Sequence, residues 1–140
     1  MLLQIVIGSL LISITVVIEA AFIGMAIAVL NRHGPNLLKG HRIIKMTLFI
    51  TGITLWMVAA LAIAVWLWAL TFIVLDLFAL PEDALYFAAV SFTTLGFGDV
   101  LLEKPWRLLS GFSAANGLIL FSLSTAFLFE AFGRLQVKQD

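Results

Sequence analysis

Charge is scarce in this chain, and cysteine is absent from its 140 residues. Without cysteine there are no disulfides and no thiolate metal sites. Only 11% of the residues are charged, where a soluble domain carries about a quarter. Proline occurs three times. No stretch is rich in proline or serine, and no segment repeats another, so the sequence reads without a linker. What remains is apolar: 63% of the residues are hydrophobic. This is the composition of an integral membrane protein with almost no soluble mass. A cytosolic nucleotide- or calcium-binding regulatory domain is not expected. The first apolar stretch lacks a basic leader and is too long for the core of a signal peptide. The few polar groups form no nucleophile–base set, so enzymatic catalysis is not expected either.

Three segments are long enough to span a bilayer, which takes about 20 apolar residues in a helix. They are Leu2 to Leu30, Ile43 to Leu75 and Trp106 to Phe132. Between the second and third lies Pro81 to Thr94, too short to cross. Proline suits the first helical turn, and the carboxylates of Glu82 and Asp83 oppose the positive end of a helix dipole there. The reading is a re-entrant helix over 82–93, followed by extended chain over 94–98.

The placement of charge orients the chain. The loop 31–45 holds Arg32, Lys39, Arg42 and Lys45, with His33 and His41 beside them and no acid. The positive-inside rule puts this loop in the cytoplasm. The N-terminus is then outside and the C-terminus, with Arg134 and Lys138, is cytoplasmic. The segment 76–105 faces outside and is acidic, with Asp76, Glu82, Asp83, Asp99 and Glu103 against Lys104. Trp66, Trp68 and Trp106 fall near the outer interface, where an aromatic belt is expected, or serve packing. No span carries the several arginines or lysines of a voltage sensor.

The run Thr93-Thr94-Leu95-Gly96-Phe97-Gly98-Asp99 is the most informative stretch. Irregular backbone is tolerated at membrane depth only where protein buries it or water lines it. Chain punctuated by glycine can turn successive carbonyl oxygens to one axis, where they replace the water shell of a cation. The heptad resembles the selectivity filter of potassium channels, Thr-Val-Gly-Tyr-Gly-Asp in its usual form. It departs from that form at Leu95 and Phe97. The resemblance covers residues 43–133, about two thirds of the chain. It implies a tetrameric, all-α membrane fold with an outer helix 43–75, pore helix 82–93, filter 94–98 and inner helix 106–133. The resemblance makes residues 43–140 the pore module and leaves 1–42 as a peripheral helix with a basic loop. One filter strand per chain requires four copies around one axis.

The resemblance also assigns roles. Thr94, Leu95, Gly96 and Phe97 offer carbonyls to potassium ions, the Thr94 hydroxyl is the innermost ligand, and Gly96 and Gly98 supply positive φ. Thr93 braces the pore helix, and Asp99 sits at the outer mouth. The pore-helix position that is often glutamate in bacterial members is Val90 here, which leaves Asp99 without that partner. Tyr86 either donates its hydroxyl to Asp99 instead or anchors the helix at the interface. Gly117 falls at the hinge position of inner helices, with close helix packing as the other reading. Leu118, Phe121, Thr125, Ala126 and Phe129 share one helical face and would line the cavity or inner gate. Asn116 hydrogen-bonds between helices or touches the cavity.

Glu19 is the oddest residue outside the heptad, because a carboxylate is costly in an apolar span. It is either a proton-sensitive gate element or a neutral, hydrogen-bonded structural residue. Gln4, Gly8, Thr15, Glu19 and Ala26 share one face of the first helix, and Ser9, Ser13, Ala20 and Gly24 share another. The expectation is therefore a homotetramer in the cell (inner) membrane, conducting potassium passively, with the lipid bilayer and its own copies as partners. No organic cofactor and no nucleic acid are expected. A weakly selective cation channel and a non-conducting adaptor with the same fold are the alternatives.

Overall fold

The computed structural model describes the backbone of residues 1–33 and 42–137, and the side chains of 1–32 and 44–134. Lys39, His41 and Lys138 lie outside the described residues. Helix α1 runs Leu2–His33, α2 Arg42–Val74, α3 Pro81–Phe92 and α4 Leu108–Val137, with a 3-10 turn at Lys104–Trp106 before α4. Three of these helices are long and apolar enough to cross a membrane. An apolar span must satisfy its backbone groups within itself, and the helix does so residue by residue. The ends differ slightly from the sequence reading. The third span starts later, because the turn containing Pro105 precedes it, and the short helix begins at Pro81 itself.

Cross-helix pairs set the register. Gln4 meets Pro105, Thr15 meets Asn116, and Glu19 meets Ser124, so α1 and α4 run parallel. The buried face of α1 carries Gln4, Leu11, Thr15, Glu19, Ala26 and Leu30. Gly8 lies on it too: a Cβ there would sit 2.5 Å from the Phe112 ring. Ser9, Ser13, Ala20 and Gly24 are exposed on the single chain. α2 packs against α1 through Trp56, whose ring stacks on Phe22 at 4.6 Å and whose indole N–H donates to the Phe22 carbonyl at 3.1 Å.

The core lies where α3 is wedged between α2 and α4. Ala84, Phe87, Ala88 and Phe92 of α3 are buried there with Trp68, Phe72, Leu109 and Leu120. Phe72 and Phe87 meet edge to face at 5.4 Å, a favoured aromatic arrangement. Trp68 is thus core, fully buried, and no part of a lipid-facing belt, whereas Trp66 is exposed. Ile53, Met57, Phe127 and Ala131 form a second cluster toward the other end of the bundle.

α2 and α3 stop by the same device. At the end of α2, Leu77 N–H bonds the Phe72 carbonyl and Asp76 N–H bonds the Ile73 carbonyl. At the end of α3, Leu95 N–H bonds Val90 and Thr94 N–H bonds Ser91. These paired bonds close a Schellman motif, which needs a left-handed residue between helix and exit. That residue is Asp76 (φ 54°) in one case and Thr94 (φ 60°) in the other.

Candidate functional site

The Schellman turn at Thr94 launches residues 94–99 away from α3, and no strand forms there among the described residues. Positive φ recurs at Thr94 (60°), Gly96 (56°) and Gly98 (80°), and not at Leu95 or Phe97. Glycine adopts this region freely. Asp76 tolerates it as aspartate does. A β-branched residue there is an outlier, because its Cβ crowds the carbonyl that follows. Leu95 and Phe97 point away from the chain's own core, 58% and 66% exposed. Thr93 stays tied to α3, its hydroxyl donating to the Ala89 carbonyl at 2.8 Å.

Beyond the glycines the chain returns to α3. The Tyr86 hydroxyl donates to Asp99 Oδ2 at 2.6 Å. That bond, helped by the backbone N–H groups of Asp99 and Val100, holds the Asp99 carboxyl below the usual carboxylate range. The same bond, together with the negative charge it faces, pushes the Tyr86 phenol up. Val90 cannot serve Asp99, and Tyr86, one helical turn earlier, does so from the same helix.

α4 divides its labour between two faces. Leu118, Phe121, Ser122, Thr125, Ala126 and Phe129 line one open groove. Phe129 is 81% exposed on it. Ser122 joins the expected lining, its hydroxyl bonded to the Leu118 carbonyl at 2.7 Å. Phe121 also reaches α3, its ring 5.8 Å from that of Phe92. The opposite face carries Ser113, Asn116, Leu120, Ser124, Phe127 and Ala131, all buried. Gly117 sits tight against α3, where a Cβ would lie 1.8 Å from the Phe92 carbonyl oxygen. This gives Gly117 a packing role in the single chain.

The back of α4 is bound to α1 by polar side chains. Asn116 Nδ2 donates to Thr15 Oγ1 at 2.8 Å, and the Thr15 hydroxyl is also within bonding distance of Asn116 Oδ1 and the Leu11 carbonyl. Asn116 therefore faces α1, away from the groove. Glu19 is 1% exposed and accepts from the Ser124 hydroxyl through Oε1. Sequence reasoning singled out Glu19 and Asn116 but not Ser124. A serine in an apolar helix gives no signal until the register with its partner is known. Near the end of α4, Arg134 Nε pairs with Glu130 Oε1 at 2.8 Å, an exposed ion pair one turn apart.

The site thus joins a short helix, a glycine-punctuated exit and a long helix with one open apolar face. The ion channel family model matches residues 61–134, from the middle of α2 through α3 and the heptad to the last turn of α4. α1 lies outside the matched span. No curated protein and no solved structure matches the chain. The matched span is more than half of the 140 residues and contains the whole candidate site; the chain belongs to the ion channel family, and its work is conduction across a membrane, not catalysis.

Proposed function

We propose that the chain forms a homotetrameric potassium channel whose filter is built from residues 94–98. The observation that carries this reading is the alternation of positive φ at 94, 96 and 98. Alternating the sign of φ turns successive peptide planes so that their carbonyls gather on one side. Four such segments around one axis would offer the rings of oxygen that replace potassium hydration. Thr94 strengthens the case. The position favours glycine, yet it holds a β-branched residue in a left-handed conformation. Strain of this kind persists where a side chain has work to do. Here that work is a hydroxyl ligand at the inner end of the filter.

In this reading Thr94, Leu95, Gly96 and Phe97 bind potassium through their carbonyls, and Gly98 ends the filter. Asp99, braced by Tyr86, forms a carboxylate ring at the outer mouth. α3 is the re-entrant pore helix, α2 the outer helix and α4 the inner helix. Leu118, Phe121, Thr125 and Phe129 line the cavity, and the Phe121 and Phe129 rings provide apolar constrictions that gate by dewetting. The N-terminus lies outside the cell membrane and the basic loop inside, by the positive-inside rule.

The test is flux from potassium-loaded liposomes, with reversal potentials in mixed sodium and potassium. Potassium-selective flux that Gly96→Ala abolishes, with the protein still inserted, supports the filter. Persistent selective flux in that variant overturns it. One observation favours a second reading, a weakly selective cation channel. Phe97 has no hydroxyl to tie the filter to its surroundings, and in the single chain both Phe97 and Leu95 are exposed. A reversal potential that ignores the potassium-to-sodium ratio would favour that reading.

A further inference from the structure

The structure gives α1 a task that the family match does not reach. We infer that Glu19 is a proton-binding site on a lever, and that its protonation sets how tightly α1 holds the back of α4. The inference rests on reading α4 as the pore-lining helix.

The geometry is specific. Glu19 is 1% exposed and lies in the seam between α1 and α4. Its Oε1 meets Ser124, and its Oε2 has no partner among the described residues. Among the described residues no cation is paired with it from the elements packed there. α1 has no other ionisable side chain before Arg32. α2 carries none between Lys45 and the end of the helix at Val74, and α4 carries none before Glu130, which is itself paired with Arg134. A carboxylate in such a seam has one hydroxyl donor and no counter-charge, which an apolar interior penalises heavily. The protonated acid fits: it is neutral, and Ser124 still serves it. When the proton passes to water, the anion left behind favours any arrangement that opens the seam to water or headgroups.

The seam transmits because it is continuous and lies on the correct face. Gln4 to Pro105, Thr15 to Asn116 and Glu19 to Ser124 are successive rungs between the same two helices. Ser124 is flanked along α4 by Phe121, Thr125 and Phe129, which belong to the groove on the other side. Moving the back of α4 therefore moves its groove face. The switch has two arrangements, seam closed with the acid and seam loosened with the anion, as a two-state element requires.

The experiment has three readouts on the reconstituted full chain. Infrared spectra across pH should show the C=O stretch of a protonated carboxyl that vanishes with titration and is missing in Glu19→Gln. Ser124→Ala should move its midpoint. Because the chain has no cysteine, a spin-label pair at Val17→Cys and Leu123→Cys reports the α1–α4 separation without background. With labelled subunits diluted in unlabelled ones, the distance should lengthen across the same titration and stay fixed in the Glu19→Gln background. Potassium flux should step at the same midpoint and lose that step in Glu19→Gln. Absence of the carboxyl band overturns the proton site. A band that titrates while the distance stays constant overturns the lever. A flux step that survives Glu19→Gln overturns the coupling to conduction. If the wild type conducts no potassium, the filter reading fails, while the first two readouts still decide the proton site and the lever.

Discussion

The carbonyl of Phe92, the last residue of α3, rests directly on Gly117 of α4: a Cβ at Gly117 would lie 1.8 Å from that oxygen. Backbone oxygen cannot swing aside as a flexible side chain can. A methyl group at this point must push the end of α3 away from α4, and overpacking of this kind costs about 1–3 kcal/mol. Because Thr94 follows Phe92 by two residues, the displacement reaches the segment proposed as the filter. Gly117→Ala is expected to lower the protein's stability in detergent and to impair conduction together. A hinge would behave differently. Loss of bending alone would leave stability unchanged and alter only open times in single-channel records.

Thr94 offers a cleaner separation of stability from function. Its φ of 60° places a β-branched residue where glycine is preferred. Thr94→Gly should relieve about 1–2 kcal/mol of left-handed strain, less what glycine gives back in backbone freedom. The variant is expected to unfold no more readily than the wild type, yet to lose the stabilisation that potassium would confer on the proposed tetramer. Thermal melts in potassium against sodium check both halves. A variant that keeps the full potassium-dependent shift would show that the hydroxyl is not a ligand.

The pairing of Tyr86 with Asp99 sets the expected response to external acid. The Asp99 carboxyl is held below its ordinary value of 3.8, chiefly by the Tyr86 hydroxyl. A depressed carboxylate contributes stability that is complete above the ordinary value and is lost as pH falls through the lower, folded one. Tyr86 works with the opposite sign. Its phenol is raised above the ordinary value of 10.0, so its contribution is complete below that value and lost as pH rises through the higher one. Between these limits the Asp99 carboxylate keeps its charge. Tyr86→Phe removes the hydroxyl and should move acid block of the conductance to higher pH. Titrating outward-facing flux in wild type and variant measures the shift. An unchanged midpoint would mean that Asp99 does not control block.

These particulars show what the sequence could and could not reveal. Length and hydropathy locate α1, α2 and α4, and Pro81 with two carboxylates marks the start of α3. Period groups Gln4, Thr15 and Glu19 on one face of α1 and Ser9 and Ser13 on another, but it does not tell which of the two the single chain buries. Trp68 shows where such reading ends. α2 is apolar on every side, so nothing in its pattern tells the core line of Met57, Ala60, Ala64, Trp68 and Phe72 from the lipid-facing surface. The partners Ser124 and Pro105 were equally hidden. Register between helices is set by which small residues let backbones approach, here Gly8 under Phe112 and Gly117 under Phe92. The positive φ of Gly96 and Gly98 was legible, since few other residues adopt it. That of Thr94 was not, because its cause is the Schellman turn that ends α3.

The rung between Thr15 and Asn116 is unequal, and its inequality can be measured. The Thr15 hydroxyl has a second acceptor in the Leu11 carbonyl at 2.9 Å, so it stays satisfied if Asn116 is removed. Asn116 is fully buried and has Thr15 as its hydrogen-bonding side chain. Thr15→Val keeps the shape of the side chain but strands an amide in the apolar seam, at about 1–3 kcal/mol. Asn116→Leu strands no polar group, and its cost should come mainly from fitting the new side chain. The double variant Thr15→Val with Asn116→Leu should therefore be more stable than Thr15→Val alone, because the stranded amide is gone. Interhelical hydrogen bonds in membranes contribute about 0.6 to 2 kcal/mol, so the difference lies within reach of a double-mutant cycle on unfolding in detergent. Strict additivity of the two substitutions would mean that α1 and α4 are not coupled at this rung, and the lever proposed for Glu19 would lose the neighbouring contact that carries its motion toward the proposed filter.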